Sequence, residues 1–184
     1  MTVRLSVPGE GTSTALLLRP WRRDDIKNLV AAHQDELLRR TLTTPLTDEP
    51  QAQEWLKAQA AGWVEATRFS FAVVSNADDQ FLLGYVVVKV ETAGVAQVGY
   101  WTAAHARGTG VAPRALATAS RWALETQKMV SLSRLELFHA IDNSASCRVA
   151  NKCGYALREV LTPAPPAFPS MGHRHVRVPS RQSP

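Results

Sequence analysis

Two glycines stand close together between a segment typical of a strand and a segment typical of a helix, in Arg107-Gly108-Thr109-Gly110-Val111-Ala112. Glycine allows backbone conformations, and a closeness of approach to a ligand, that a Cβ would block. The N–H groups from Gly108 to Ala112 can then converge on one point, where the helix start adds partial positive charge. Pro113 has no N–H, so the donors should end just before it. The segment therefore predicts an anion site, and a pyrophosphate suits it best.

The same loop argues against two common nucleotide sites. It has neither the Lys-Ser/Thr pair of a P-loop nor the three-glycine spacing of a dinucleotide-binding turn. Neither ATP nor NAD is therefore indicated. Two glycines alone are also compatible with an ordinary glycine-rich turn into a helix, so the neighbouring segments must decide.

The composition predicts one soluble globular domain over residues 1–184. The chain is 45% hydrophobic and 20% charged. No apolar run approaches the ~20 residues of a membrane span, and the N-terminus lacks the apolar core of a signal peptide. Cys147 and Cys153 lie six positions apart on one predicted helix, which disfavours a disulfide between them. We therefore expect a cytoplasmic protein that does not associate with a membrane.

The formal net charge of +5 suits either a nucleic acid or an anionic small molecule that carries phosphates. The basic residues form no run, and no RNP-like, zinc-finger or basic-zipper pattern is present. We expect no nucleic-acid partner, and keep a basic nucleic-acid-binding domain as an alternative.

Periodicity and turn signals predict the order β-α-α-β-β-β-α-β-α-β-β. The predicted strands cover residues 15–20, 69–75, 81–90, 95–102, 134–139, 155–161 and 173–178, and the predicted helices begin near residues 24, 50, 110 and 143. Residues 34–49 and 162–170 are predicted loops. Short turns imply antiparallel strands, whereas a strand-helix-strand unit requires a parallel pair. The predicted fold class is α/β, with a mixed, mostly antiparallel sheet and helices on both faces.

Several motifs in this order resemble the GNAT acyltransferase superfamily, and within it the RimJ/RimL-type branch. The CoA-loop pattern Arg/Gln-x-x-Gly-x-Gly/Ala is matched by Arg107, Gly110 and Ala112. Gly99-Tyr100-Trp101 precedes the loop, as in that branch. The later pattern Asn-x-x-Ser-x-x-Val-x-x-x-x-Gly-aromatic is matched by Asn143, Ser146, Val149, Gly154 and Tyr155. Other typical segments are Leu18-Arg19-Pro20-Trp21 with Asp24-Asp25, Ala119-Ser120-Arg121-Trp122-Ala123, and Gly172-His173-Arg174-His175.

The resemblance covers about residues 14–178 and implies a GNAT-type fold in which the strands at 95–102 and 134–139 splay apart. The pantetheine arm of acetyl-CoA would enter the gap, and a backbone N–H near its edge would stabilise the developing oxyanion. The diphosphate would lie on the glycine loop. The implied cofactor-binding residues are Trp101, Thr102, Ala103, Arg107, Gly108, Thr109, Gly110, Val111, Ala112 and Asn143.

Amide formation from a thioester also requires a proton for the leaving thiolate. The resemblance implies Ser146 as this acid. The alternative is that Asn143 is a helix N-cap and Ser146 an ordinary first-turn residue.

The base that removes the proton of the amine is harder to assign, because Gln97 stands where many relatives have Glu. Gln97 cannot accept the proton, but it could orient a water or the acceptor, so we place it in the acceptor site. His139 ends its strand beside the expected gap and is the candidate base, since its unperturbed pKa suits the task. His105, Glu136 and Asp35 are weaker candidates. An amine that is partly neutral could instead lose its proton through water.

The remaining aromatic and histidine residues give two further expectations. Trp21 is the aromatic candidate for the acceptor pocket, whereas Trp55, Trp63 and Trp122 have helical spacing and are expected in the core. His173 and His175 are two apart on one strand, but no third ligand is evident in the sequence, so we expect no metal.

The sequence thus predicts an acyl-CoA-dependent N-acetyltransferase that acts on a primary amine. A ribosomal-type protein N-terminus is the leading acceptor, and a small amine is the other. The alternatives are an inactive CoA-binding sensor or interaction module, and an acyltransferase for a longer acyl-CoA such as succinyl-CoA. A homodimer is left open.

Overall fold

Eight strands form one mixed sheet in the computed structural model, which describes residues 3–42, 44–165 and 169–179. In chain order they are β1 Leu5–Val7, β2 Leu16–Pro20, β3 Arg68–Ser75, β4 Leu82–Thr92, β5 Gly94–Thr102, β6 Leu132–Ala140, β7 Ala156–Leu161 and β8 Gly172–Arg177. Across the sheet the order is β1-β2-β3-β4-β5-β6-β8-β7. Only β5 and β6 pair in parallel, and every other neighbouring pair is antiparallel.

Five α-helices connect these strands: α1 Ile26–Ala32, α2 Glu36–Arg39, α3 Glu49–Val64, α4 Val111–Arg121 and α5 Ser144–Lys152. Side-chain oxygens cap the starts of three of them: Asp35 accepts the N–H of Leu37 at α2, Asp48 accepts that of Gln51 at α3, and Asn143 accepts that of Ser146 at α5. Gly154, with a φ of 74°, follows α5 in the predicted terminating position. Within the described residues, no helix is long and apolar enough to cross a membrane.

The α/β class, the mixed sheet and all seven predicted strands are confirmed, but two short elements were missed. β1 has three residues, too few to show an alternating pattern. α2 has four, too few for a helical period, and it depends on Asp35, whose carboxylate accepts the N–H of Leu37. The predicted loop at 34–49 is therefore partly helical. Thr43 in that loop and residues 166–168 in the loop at 162–170 lie outside the described residues.

Apolar side chains cover both faces of the sheet. β2 shows why, since Leu16 and Leu18 belong to the cluster beneath α4 and α5, whereas Leu17 joins the cluster beneath α1 and α3. The predicted core position of Trp122 is confirmed, because its side chain is buried in the first cluster. Trp63 is partly buried and packs against that cluster, with its ring centroid 5.8 Å from that of Trp122. Trp55 is only partly buried and packs against the second cluster.

The central strands separate halfway along their length, as the resemblance implied. β5 pairs with β6 from Gly94 to Val98 only. Beyond that point β5 continues beside β4 as far as Thr102, while β6 continues beside β8 as far as Ala140. A gap therefore opens between the carboxyl ends of the two parallel strands.

A buried ion pair fixes the chain where it leaves β2. Arg19 and Asp25 are 0% and 1% exposed, and two guanidinium nitrogens of Arg19 donate to the two carboxylate oxygens at 2.8 Å each. The same carboxylate accepts the N–H of Arg22 at 2.7 Å, and Arg19 also donates to the carbonyl of Asp79 at 2.6 Å. The pair thus joins β2, the turn before α1 and the β3–β4 turn.

We predict that Asp25→Asn destabilises the protein by about 3–5 kcal/mol, because it removes the carboxylate that is hydrogen-bonded to the buried Arg19 guanidinium and leaves only that of Asp79, 3.9 Å from its Nε. Urea unfolding would measure the free energy of unfolding. Asp24→Asn, at the exposed neighbouring position, should change it by less than about 0.5 kcal/mol. Equal effects of the two substitutions would show that the Arg19–Asp25 ion pair does not stabilise the fold.

Candidate active site

The glycine loop has the backbone shape that an anion cradle needs. Gly108 and Gly110 have φ values of 78° and 79°, in the left-handed region that favours glycine. A Cβ would meet nothing within 4 Å at Gly108, and only the Arg114 Cδ, at 3.9 Å, at Gly110. The two glycines are therefore required for their dihedral angles and not to avoid crowding within the chain.

The five predicted N–H donors are free. None of the backbone N–H groups from Gly108 to Ala112 has an acceptor among the described residues. The turn is held from outside, because the Thr109 hydroxyl donates to the carbonyl of Ala106 at 2.7 Å. α4 begins at Val111, so its unpaired first-turn N–H groups lie in the same loop. This arrangement fits the diphosphate of CoA.

Arg107 connects the loop to the other face of the sheet through an ion pair with Asp35. The guanidinium beside Asp35 lowers the pKa of that carboxyl below its usual value. Asp35 therefore serves as the N-cap of α2 and the partner of Arg107, which argues against its role as a base. The sequence gives no signal for this long-range pair.

The backbone groups of β5 that face the gap between β5 and β6 are not all those of Trp101, Thr102 and Ala103, which the resemblance implied. The N–H of Ala103 donates to the carbonyl of Leu83 on β4 at 2.9 Å. Because backbone groups alternate along a strand, those of Trp101 also face β4, whereas those of Tyr100 and Thr102 face the gap. Of the three predicted residues Trp101, Thr102 and Ala103, only Thr102 can thus present its backbone to the gap.

Asn143 caps α5 as the helix-cap alternative predicted, and the roles that the resemblance implies for Asn143 and Ser146 stay predictions. The Asn143 side-chain oxygen accepts the backbone N–H of Ser146 at 3.0 Å. The Ser146 hydroxyl remains outside that bond and accepts from the Tyr100 hydroxyl at 3.1 Å. Burial raises the pKa of Tyr100 above its usual value, so the phenol keeps its proton at neutral pH. The sequence motif contains Tyr100, but the sequence did not predict the contact of its hydroxyl with Ser146.

The residues predicted for the acceptor pocket, Trp21 and Gln97, lie on the α1 and α3 face of the sheet, opposite to Tyr100 and Ser146. Trp21 packs against Trp55, Tyr85 and Trp101 with ring centroids 5.2, 6.0 and 6.4 Å apart. The Trp21 Nε1 is buried with no hydrogen-bond partner within the described chain. Trp55, which was expected in the core, thus stands beside Trp21 in one aromatic cluster.

Gln97 shares that face with two charged groups. It lies between Lys89 on β4 and Glu136 on β6 in the sheet register. Glu136 accepts from Arg134 at 2.9 Å and from Arg174 at 3.1 Å. The Glu136 carboxylate is thus already engaged by two guanidinium groups, which argues against its role as a base.

His139 faces away from Gln97. It alternates along β6 with Glu136, and therefore lies with Leu137 on the α5 side of the sheet. Its Nδ1 contacts the carbonyl of Ala140 at 2.8 Å and its Nε2 contacts His175 at 3.2 Å. His105 is exposed, and its ring packs against that of Phe81 at a tilt of 41°. The role of His139 as base stays a prediction that this position does not favour.

Comparison with known proteins identifies the sequence family. Residues 15–156, which are most of the chain, match the family described as the acetyltransferase (GNAT) domain. No protein of curated function is significantly similar to the chain in sequence.

Solved structures share the fold. A putative ribosomal-protein-serine acetyltransferase from Vibrio cholerae is 23% identical, with a TM-score of 0.76 over 97% of this chain and 100% of that one. RimL, a ribosomal L7/L12 alpha-N-protein acetyltransferase in complex with coenzyme A, is 16% identical, with a TM-score of 0.79 over 94% and 97%. The microcin C7 self-immunity acetyltransferase MccE, in complex with acetyl-CoA and AMP, is 14% identical, with a TM-score of 0.78 over 91% and 93%.

We predict that Gly110→Asp abolishes binding of coenzyme A, because it places a negative charge and a side chain against the diphosphate. Isothermal titration calorimetry would measure the affinity. Gly154→Asp is the matched control, since Gly154 has a similar φ of 74° and equally open surroundings. It bears the same backbone strain and should bind coenzyme A normally. Retained affinity in Gly110→Asp would contradict the loop assignment.

Proposed function

Because the chain belongs to the GNAT acetyltransferase family, we propose that it transfers the acetyl group of acetyl-CoA to the α-amine of a protein N-terminus. The observation that carries the choice of acceptor is the lack of a free carboxylate beside Gln97 among the described residues. Glu136 is paired with two arginines and Asp35 with Arg107. The acceptor must therefore be an amine that is partly neutral before it binds.

The two common protein amines differ greatly in this respect. An α-amine has a pKa of about 7.7–8.0, so roughly a quarter to two fifths of it is neutral at pH 7.5. A lysine side chain has a pKa of about 10.4, so only about one molecule in a thousand is neutral at that pH. An enzyme that lacks a strong base thus favours the α-amine by a large factor.

The structural neighbours agree with a protein acceptor without deciding it. RimL is a ribosomal L7/L12 alpha-N-protein acetyltransferase, and the Vibrio cholerae protein is described as a putative ribosomal-protein-serine acetyltransferase. MccE was solved with AMP as well as acetyl-CoA, so the same fold also accommodates a small molecule. Since all three are below 25% identity, the acceptor rests on the chemistry of the site, and a small amine is the competing acceptor.

The residues that act on the amine and those that act on the departing sulfur lie on opposite faces of the sheet. Bound acetyl-CoA would supply an activated thioester, with its diphosphate held by the N–H groups from Gly108 to Ala112. The backbone N–H of Thr102 or Tyr100 donates to the carbonyl oxygen as negative charge develops. Gln97 orients the water that takes the proton of the amine.

The departing sulfur receives its proton on the α5 side. The Tyr100 hydroxyl donates to the Ser146 oxygen, which leaves the Ser146 hydrogen free to point at the sulfur. Asn143 fixes the first turn of α5 and so keeps Ser146 in place. Ser146 is therefore the proposed acid, and Tyr100 is its positioning residue.

We predict that Ser146→Ala lowers kcat by about 100-fold or more, and raises KM much less, because the thiolate loses its proton donor. Tyr100→Phe should lower kcat by a smaller factor, since Ser146 keeps its own proton. Ser144→Ala is the control, because Ser144 is exposed on the same helix turn. Steady-state assays of thiol release would test all three. Unchanged turnover in Ser146→Ala would show that Ser146 is an ordinary first-turn residue of α5, capped by Asn143.

We predict that kcat/KM rises with pH and levels off near the pKa of the acceptor α-amine. Peptides with a free N-terminus should be acetylated, and the same peptides with a blocked N-terminus and an internal lysine should not. Gln97→Glu should move the rise to lower pH, since Lys89 opposite would keep the new carboxylate ionised.

Three results would contradict this function. Equal acetylation of the blocked lysine peptides would remove the preference for an α-amine, and turnover with small amines alone would favour the competing acceptor. Binding of coenzyme A without thiol release for any amine would favour an inactive module. Parallel assays with succinyl-CoA would identify the acyl group.

A further inference from the structure

Four metal-binding side chains that the proposed reaction does not use converge beneath α5. They are His139 on β6, Cys147 on α5, and His173 and His175 on β8. The Cys147 Sγ lies 3.2 Å from the His173 Nδ1 and 3.9 Å from the His175 Nε2, and the His175 Nε2 lies 3.2 Å from the His139 Nε2. One donor atom from each residue lies within 4.8 Å of the other three.

The sheet register brings these residues together from distant parts of the sequence. β6 and β8 are antiparallel neighbours in which His139 pairs with His173, and Leu137 pairs with His175. The three histidines therefore share one face, and α5 lays Cys147 across that face. The sequence showed only His173 and His175, so the reason for expecting no metal, the lack of a third ligand, does not hold in the fold.

The spacing of the donor atoms is close to that of a tetrahedral site. With Zn–N bonds of about 2.0–2.1 Å and a Zn–S bond of about 2.3 Å, tetrahedral ligands lie roughly 3.3–3.6 Å apart. Three of the six donor–donor distances, 3.2, 3.2 and 3.9 Å, differ from this by a few tenths of an ångström, and the other three are within 4.8 Å. Small side-chain adjustments would be enough to coordinate one ion.

The hydrogen bonds of two histidines also point to a cation between them. The Ala140 carbonyl can only accept, so the His139 Nδ1 at 2.8 Å carries the hydrogen and its Nε2 is a lone pair. The His175 Nδ1 also faces a backbone carbonyl, that of Tyr155, at 3.4 Å. With the hydrogen on the His175 Nδ1, two Nε2 lone pairs face each other at 3.2 Å and can share a cation, whereas the other tautomer of His175 donates from Nε2 to His139. Metal-bound histidines commonly have this backbone support for the other nitrogen.

We propose that His139, Cys147, His173 and His175 form a site for one Zn²⁺ ion. One thiolate and three neutral imidazoles are ligands that zinc prefers, and four protein ligands leave no open position, as in structural zinc sites. His175 is 1% exposed, whereas the other three are only partly buried, so an ion can reach the site. The ion would fasten the first turn of α5 to β6 and β8.

This site goes beyond the proposed acetyl transfer and does not depend on it. It has one consequence for that reaction, because Cys147 directly follows Ser146. A metal that holds Cys147 would also hold Ser146 opposite Tyr100. His139 would then be a zinc ligand instead of a base.

Metal analysis of the full chain, produced without a polyhistidine tag, tests the proposal. Dialysed against Zn²⁺ and then against buffer, the protein should hold about one Zn²⁺ per chain by elemental analysis. After chelation, Co²⁺ should give visible bands of a tetrahedral ion and a thiolate-to-cobalt charge-transfer band. Less than a tenth of an equivalent of zinc in the wild type, or a cobalt spectrum without the thiolate band, would overturn the proposal.

Zinc affinities of single-residue variants test whether these four side chains bind the ion. Cys147→Ala and His173→Ala should each weaken zinc binding by more than the 10–100-fold that losing an outer-shell hydrogen bond costs, about 100-fold or more. The matched controls are Cys153→Ala, which removes the other thiol, and His105→Ala, which removes a histidine outside the cluster; both should bind zinc as the wild type does. Circular dichroism and coenzyme A binding verify folding, and the wild-type measurement stands even if a variant does not fold.

The rival use of a thiol beside a histidine is covalent catalysis, in which Cys147 would itself be acetylated. Mass spectrometry after incubation with acetyl-CoA distinguishes the two. An acetylated Cys147 in a protein that binds no zinc would overturn the proposal, as would equal zinc binding in Cys147→Ala and the wild type.

Discussion

The separation of β5 from β6 after Val98 is the constraint from which the site follows. Parallel strands in one sheet need a crossover connection, and here that connection contains the glycine loop and α4. The strand that forms one edge of the gap therefore runs directly into the anion cradle. In the proposed binding mode, consecutive segments of the chain would supply both a slot for the extended arm of CoA and donors for its diphosphate.

In the proposed reaction, the gap also allows side chains from the two faces of the sheet to act on one bond. Tyr100 and Ser146 stand on the α5 face, whereas Gln97 and the aromatic cluster around Trp21 stand on the α1 and α3 face. In a closed sheet these groups would be separated by a layer of backbone. The Arg107–Asp35 pair crosses the same boundary, so the cradle is tied to the acceptor face before any ligand binds.

Sequence reasoning predicted most of what depends on local pattern, and missed β1 and α2 because each is too short to show one. The strands, the longer helices, the loop and the Asn143 cap all follow from residues that are near one another in the chain. It failed where the outcome depends on register. The direction of the backbone at Trp101 and Ala103, and the side of the sheet on which His139 lies, are decided by pairing with β4 and β8. The four-residue metal-binding cluster is the clearest case, because its members become neighbours only when β8 lies beside β6.

The position of β8 has a consequence for synthesis. β7 precedes β8 in the chain, yet it reaches the sheet only by pairing with β8, which lies between β6 and β7. Until β8 has left the ribosome, β6 and β7 expose unpaired edges, the form in which strands associate wrongly with other chains. The late strand closes both edges in one step and brings two of the three clustered histidines with it. A nascent chain of this protein is thus most exposed to aggregation just before the sheet is completed.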